Sequence, residues 1–139
     1  EVLPRYENRV YLHPTLKDRF GIPQVAFDFH NSPNEDALRA DIIREAKTML
    51  ELAGAVGVQT FASHQPGRSI HEMGTARMGR DPATSFLNGW NQSHEVPNLF
   101  VTDGSCMPSA SCVNPSLTFM ALTARAADYA VQQLRAGLI

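Results

Sequence analysis

Several absences narrow this sequence before any motif does. Only two cysteines occur, Cys106 and Cys112, so no multi-bridge disulfide framework can hold the chain. There is no CxxC and no Cys/His spacing of the kind that ligates zinc. One bridge between the two in an oxidising compartment, or two unpaired small residues that let backbones approach closely, both fit the spacing. Lys and Arg never cluster and the formal net charge is −2, so neither nucleic acid nor an anionic membrane is an expected partner. No apolar run approaches the ~18–20 residues that a spanning helix needs. The opening residues, EVLPRYENRV, do not have the pattern of a secretory signal. A GxSxG elbow is missing, and Ser105 after Asp103-Gly104 lacks that context, which argues against a serine hydrolase. A GxGxxG dinucleotide fingerprint is missing too. Gly54-Ala55-Val56-Gly57 follows a predicted helix, and Gly74 to Gly79 has the wrong spacing.

What remains is a chain of 139 residues, 43% hydrophobic and 19% charged, enough for one globular domain with a core. Val10, Tyr11 and Leu12 form the centre of a first predicted strand, with Arg9 outside it and a loop from Thr15 to Pro23. Gln24 to His30 alternates, with Val25, Phe27 and Phe29 on one face, which predicts a half-buried strand pairing antiparallel with the first. Ser32-Pro33-Asn34-Glu35 reads as a capping box with Pro at the first helical position. The helix it opens should run to Ala53 and stop at Gly54. Leu38, Ile42, Ala46, Met49 and Ala53 give it a stripe to bury. Arg39, Asp41, Arg44, Lys47 and Glu51 read as its solvated face. Val58 to Phe61 predicts a short strand, and Ser63 to Ser69 a polar loop.

The densest stretch is Asn98 to Leu122. Asn98 to Thr102 reads as a short buried strand, and Asp103-Gly104-Ser105 as a turn. A loop of small residues leads to Asn114-Pro115, a predicted helix start with Asn114 as N-cap. Leu117, Ala121, Ala124, Val131 and Leu134 then recur at helical spacing. A strand–loop–helix unit presents unpaired N–H groups and about half a positive charge at the helix start, which suits an anion or a polarised carbonyl. The same spacing also fits an ordinary packing unit.

HEMGTARMG at 71–79 and DGSCMPSASCVNPSLTFMAL at 103–122, joined through NQSHEVPNLFVTDGS, resemble the C-terminal signature of the glucose–methanol–choline (GMC) oxidoreductases, flavin enzymes that oxidise alcohols. NRVYLHPTLKDRFGIPQ at 8–24 resembles their bacterial sugar- and polyol-oxidising members. The resemblance implies an α+β fold: antiparallel substrate-domain strands with packing helices over 1–97, and a strand–loop–helix piece completing the FAD-binding domain over 98–139. It implies a C-terminal part of a longer protein whose Rossmann portion precedes it. FAD is the implied cofactor, held by the longer protein, and a small alcohol or sugar the implied substrate. Oxygen, a quinone and a cytochrome all remain open as electron acceptor.

Of five histidines, His71 heads the first motif and occupies the position of the family's active-site histidine. A neutral imidazole suits removal of a hydroxyl proton, because its ordinary pKa of ~6.5 lies near working pH. Asn114 matches the second active-site position and would orient the substrate hydroxyl while hydride passes to flavin N5. One Asn114 rotamer cannot readily both do this and cap the helix, so a substrate-facing Asn114 requires the cap to come from elsewhere. Pro115, Ser116 and Thr118 would face the flavin ring, and Asp103 and Gly104 the ribityl–pyrophosphate region. Arg77 reads as structural and His94 as a surface or loop residue. The Ser63–Ser69 loop is expected to contribute to substrate selectivity. The final helix is expected to expose apolar surface for an oligomer to cover. The contrasting expectation is a stand-alone, non-catalytic binding module without flavin.

Overall fold

A computed structural model describes residues 2–62 and 70–139. The expected loop at Ser63–Ser69, with His64, lies outside them. Two antiparallel strands open the chain: β1, Arg9–Lys17, and β2, Pro23–Asp28. Arg9 pairs with Asp28, Val10 with Phe27 and Leu12 with Val25, and the register then slips before Lys17 meets Pro23. Beta1 is longer than expected at both ends, and Arg9 belongs to it. It passes Pro14 because the slip falls there, where a missing N–H breaks no ladder bond. The His13 ring helps hold the slip, its Nδ1 accepting from the N–H groups of Thr15 (3.3 Å) and Leu16 (3.0 Å). The connecting turn closes on Asp18, whose carboxylate accepts from Phe20 (2.8 Å) and Ile22 (3.0 Å).

Helix α1, Pro33–Leu52, starts on the expected capping box at Ser32 and ends at Gly54, which takes φ +90°. Its predicted stripe is not buried: Ile42 is 56% exposed and Met49 70%. The hairpin's aromatic face is open too, with Phe27 72% exposed. Helical and alternating periodicity marks which face is apolar, not what covers it. The buried exception on α1 is Glu35. Its carboxylate accepts from the N–H groups of Ser32 (2.7 Å) and Leu3 (3.3 Å). Hydrogen bonds from Ser32, first its side chain and then its backbone, hold the Glu35 carboxyl down at about 2.

The core lies in the C-terminal half. Val58–Phe61 is irregular rather than a strand, following the turn at Gly57 (φ +69°) with no partner to pair. The strand expected at Asn98–Thr102 shrinks to one bridge, Phe100 with Gln92. Around it, Ser93 N–H donates to the Leu99 carbonyl (2.9 Å) and Val101 N–H to the Asn91 carbonyl (3.0 Å). A short 3-10 turn, Gly104–Cys106, precedes helix α2, Ser116–Arg135. The expected stripe of α2 does not point inward: Leu117 is 78% exposed and Leu134 64%. Ala126 is the residue it buries, with Leu87 and Cys106. Above them Trp90 stacks on Tyr129 (4.9 Å between centroids, 7° between planes) and Phe100 meets Tyr129 edge-on.

Two helices and an antiparallel hairpin make this an α+β fold. The chain exposes 10505 Å², against about 7,100 Å² for a compact monomer of its mass. Neither helix is long and apolar enough to cross a membrane among the described residues.

Candidate functional site

The two sequence motifs pack against each other. The 76–78 stretch runs beside the 3-10 turn: Ala76 N–H donates to the Ser105 carbonyl (3.0 Å) and Met78 N–H to that of Cys106 (2.8 Å). Two glycines make the approach possible. A Cβ on Gly104 would sit 3.1 Å from Met73 Sδ, 3.1 Å from Phe119 Cζ and 3.4 Å from the Glu72 carbonyl. A Cβ on Gly74 would sit 3.3 Å from the Pro108 carbonyl oxygen, and Gly74 has φ +90°, a left-handed conformation that favours glycine. Glu72–Met73, the Gly104 turn and the first turn of α2 therefore meet at Gly104. His71, half-buried, immediately precedes this junction.

At the helix start the structure corrects the expected cap. Helix α2 begins at Ser116, one residue later than predicted; the N-cap is Pro115, and no side chain caps it. The Pro115 carbonyl accepts from Phe119 N–H (3.0 Å). Proline has no hydroxyl or carboxylate to offer, so the N–H groups of the first turn keep their positive end open. Asn114 is exposed and Pro115 buried, while Ser116 and Thr118 are exposed. Neither His71 nor Asn114 spends its side chain on a hydrogen bond among the described residues. Asp103 does: its carboxylate accepts from the Ser105 N–H (2.8 Å) and hydroxyl (2.5 Å), capping the 3-10 turn.

Cys106 and Cys112 are both free thiols, the first buried and the second exposed, and burial pushes the Cys106 thiol up. No cluster of metal-ligating side chains occurs among the described residues. Arg77 acts through its carbonyl, which accepts from Phe86 and Leu87 (3.2 Å each).

A depression of about 480 Å³ lies elsewhere, between Met78, Arg80, Trp90, His94 and Arg125. Met78 and Gly79, the end of the first motif, line it, but none of the residues expected to act on substrate or cofactor does. His94, expected as a surface or loop residue, is in a loop and half-buried in its wall, with Nε2 3.1 Å from Ser85 Oγ. Asn91 and Arg125 were missed altogether. Asn91 is fully buried with φ +64°, and its side chain links Val101 to Arg125. The Asn88-Gly89 turn dipeptide nearby and an arginine beside Ala126 on an alanine-rich face were the available signals.

Comparison with known proteins gives the family. The GMC oxidoreductase C-terminal family model matches residues 4–123. A 2-methyl-1,2-propanediol dehydrogenase of Mycolicibacterium austroafricanum is 41% identical over 132 residues, covering 93% of this chain and 23% of the relative. Paromamine 6'-oxidase of Streptomyces fradiae is 37% identical over 89% of this chain and 23% of its own length. The fructose dehydrogenase large subunit of Gluconobacter japonicus is 32% identical over 99% of this chain and 25% of its own. The chain spans about a quarter of the length of the curated relatives it matches. It belongs to the GMC oxidoreductases.

Proposed function

We propose that this chain is the catalytic segment of an FAD-dependent oxidoreductase that oxidises a CH–OH group of a small alcohol, sugar or polyol as part of a longer protein. The observation that carries this reading is the junction at Gly104. It brings the segment after His71 against the Asp103–Gly104 turn and the first turn of α2. The residues fit a flavin: the start of α2 has no side-chain cap, so its first-turn N–H groups stay open to negative charge.

Bound FAD supplies the hydride acceptor, at its N5. His71, as neutral imidazole, takes the substrate hydroxyl proton as general base. Asn114 orients that hydroxyl, donating through its amide or accepting through its carbonyl. Its side chain is not used as the helix cap, which removes the conflict between the two tasks. Ser116 and Thr118, with the open first-turn N–H groups after Pro115, would favour negative charge on a flavin ring held there. Gly104 lets Glu72–Met73 and α2 close on the turn that would lie beside the ribityl–pyrophosphate chain, and Asp103 holds that turn in shape.

The rest of the longer protein, with its dinucleotide-binding portion, covers the surface this chain leaves open. Support comes from the ~3,400 Å² by which 10505 Å² exceeds the compact-monomer area, and from the quarter-length match to relatives. Anaerobic mixing of the full-length protein with polyols and sugars tests the reading by flavin absorbance. Substrate bleaches the bound flavin, and His71→Ala slows bleaching by about two to four orders of magnitude, the usual worth of a general base. A full-length protein that carries no flavin, or a His71→Ala variant that reduces at the wild-type rate, overturns it.

A further inference from the structure

Two residues outside both motifs link α2 to the segment that leads into the Asp103–Gly104 turn. Asn91 is fully buried with φ +64°. It pairs with Val101 twice. Its backbone carbonyl accepts from Val101 N–H (3.0 Å), and its side-chain amide donates to the Val101 carbonyl (3.0 Å). One residue thus reproduces with its main and side chains the pairing that a neighbouring strand would give. Its remaining amide oxygen accepts from Arg125 Nη2 (3.1 Å). The Arg125 guanidinium lies 5.6 Å from the centre of the Trp90 ring and reaches Met78 Sδ at 3.7 Å. Trp90 stacks on Tyr129, one turn further along α2.

Phe119 also lies against Gly104, and Ala126 is in the core. Apolar burial is non-directional and leaves a helix able to tilt or rotate. A hydrogen bond from a charged donor to a fully buried amide is directional, and leaving that amide oxygen unpaired is costly. Arg125 lies nine residues beyond Ser116, roughly 13 Å along the axis, so a tilt of about 5° there moves the helix start by about 1 Å. A displacement of that size costs on the order of a hundredfold in rate where reacting groups must be aligned.

We propose that Asn91 and Arg125 are a positioning pair that sets the orientation of α2 against the Val101–Cys106 segment, and through it the geometry between the two elements that face the flavin. The flavin half rests on the function proposed above; the coupling of α2 to Val101–Cys106 does not.

The test uses the full-length protein with Asn91→Gly, Arg125→Met and both together. Glycine keeps the left-handed backbone and removes both side-chain bonds. Amide exchange is followed over residues 100–107 and 119–124, with the half-life of FAD release as a second readout. Each single variant raises exchange in both segments by on the order of tenfold or more, from the loss of a bond to a charged group. The double variant adds little to the larger single effect, because the pair acts as one unit. FAD release quickens in step. Should Asn91→Gly fail to fold, Arg125→Lys and Arg125→Met read the same exchange, and wild-type protection in both overturns the proposal. Exchange confined to residues 88–93, fully additive singles, or unchanged FAD release in a protein that does bind FAD also overturns it. A wild-type protein that lacks flavin sinks the proposed function and leaves the exchange comparison standing.

Discussion

Replacing Gly74 with alanine, beside a matched control, measures how tightly the two motifs are packed. Gly74 and Gly54 share φ +90°, but an added Cβ meets the Pro108 carbonyl oxygen at 3.3 Å in the first case and nothing within 4 Å in the second. Both substitutions carry the left-handed penalty of about 1–2 kcal/mol, and both gain the same small benefit in the unfolded chain. Their difference isolates the contact. Pro108 offers a backbone oxygen rather than a flexible side-chain tip, so the segment itself must move by a few tenths of an ångström. Overpacking of this kind costs about 1–3 kcal/mol. Gly74→Ala should therefore raise amide exchange at Ala76 and Met78 by about tenfold or more, since both N–H groups donate across the same junction. Gly54→Ala should leave them at the wild-type level. In the full-length protein Gly74→Ala should also slow flavin reduction by on the order of a hundredfold, as the His71 segment is displaced. Equal exchange at Ala76 and Met78 in the two variants would refute the close approach.

Asn114→Ala in the full-length protein should slow flavin reduction while leaving the bound-flavin spectrum and the helix content intact; loss of FAD instead would show that Asn114 serves the cofactor platform. Glu35 is held at about 2 from an ordinary 4.5, so the stability it contributes is complete above pH 4.5 and fades as pH falls toward 2. Glu35→Gln should flatten that part of the acid-unfolding profile read by circular dichroism, and a profile parallel to wild type would remove the carboxylate from the cap. With iodoacetamide, exposed Cys112 should alkylate while buried Cys106 stays unmodified until denaturant is added, as mass spectrometry of the two peptides would show; equal labelling would contradict the packing around Cys106.

Local chemistry was legible where it needs only near neighbours. Ser32 and Glu35 announce the start of α1 within four residues, and Gly54 announces its end. The hairpin likewise follows from alternation and the Gly21–Pro23 turn. What failed depends on distant partners. Ile42 and Phe27 look like core in one dimension, yet both stay largely exposed. Asn98–Thr102 has strand composition, but strand structure is shared between two segments, and here its neighbour supplies one bridge at Gln92. At the start of α2, Asn114 has the right cap chemistry and proline the right φ for a first turn, so the prediction fell one residue early. Both motifs were readable because their glycines and their order along the chain carry them. The pair at Asn91 and Arg125 was not, because a separation of 34 positions hides a contact that only the folded chain makes.

The hairpin has a consequence for any form of this chain that is released by itself. A sheet of two strands has no interior strand, so β1 and β2 each turn one row of backbone donors and acceptors outward. Those rows are templates for further strands. Pro14 and the slip beside it interrupt one of them, while Val25 and Phe27 lie on the other strand with their side chains in solvent. A product with this segment alone would recruit copies of itself strand by strand, and in the longer protein proposed above the remaining polypeptide would double as protection against aggregation.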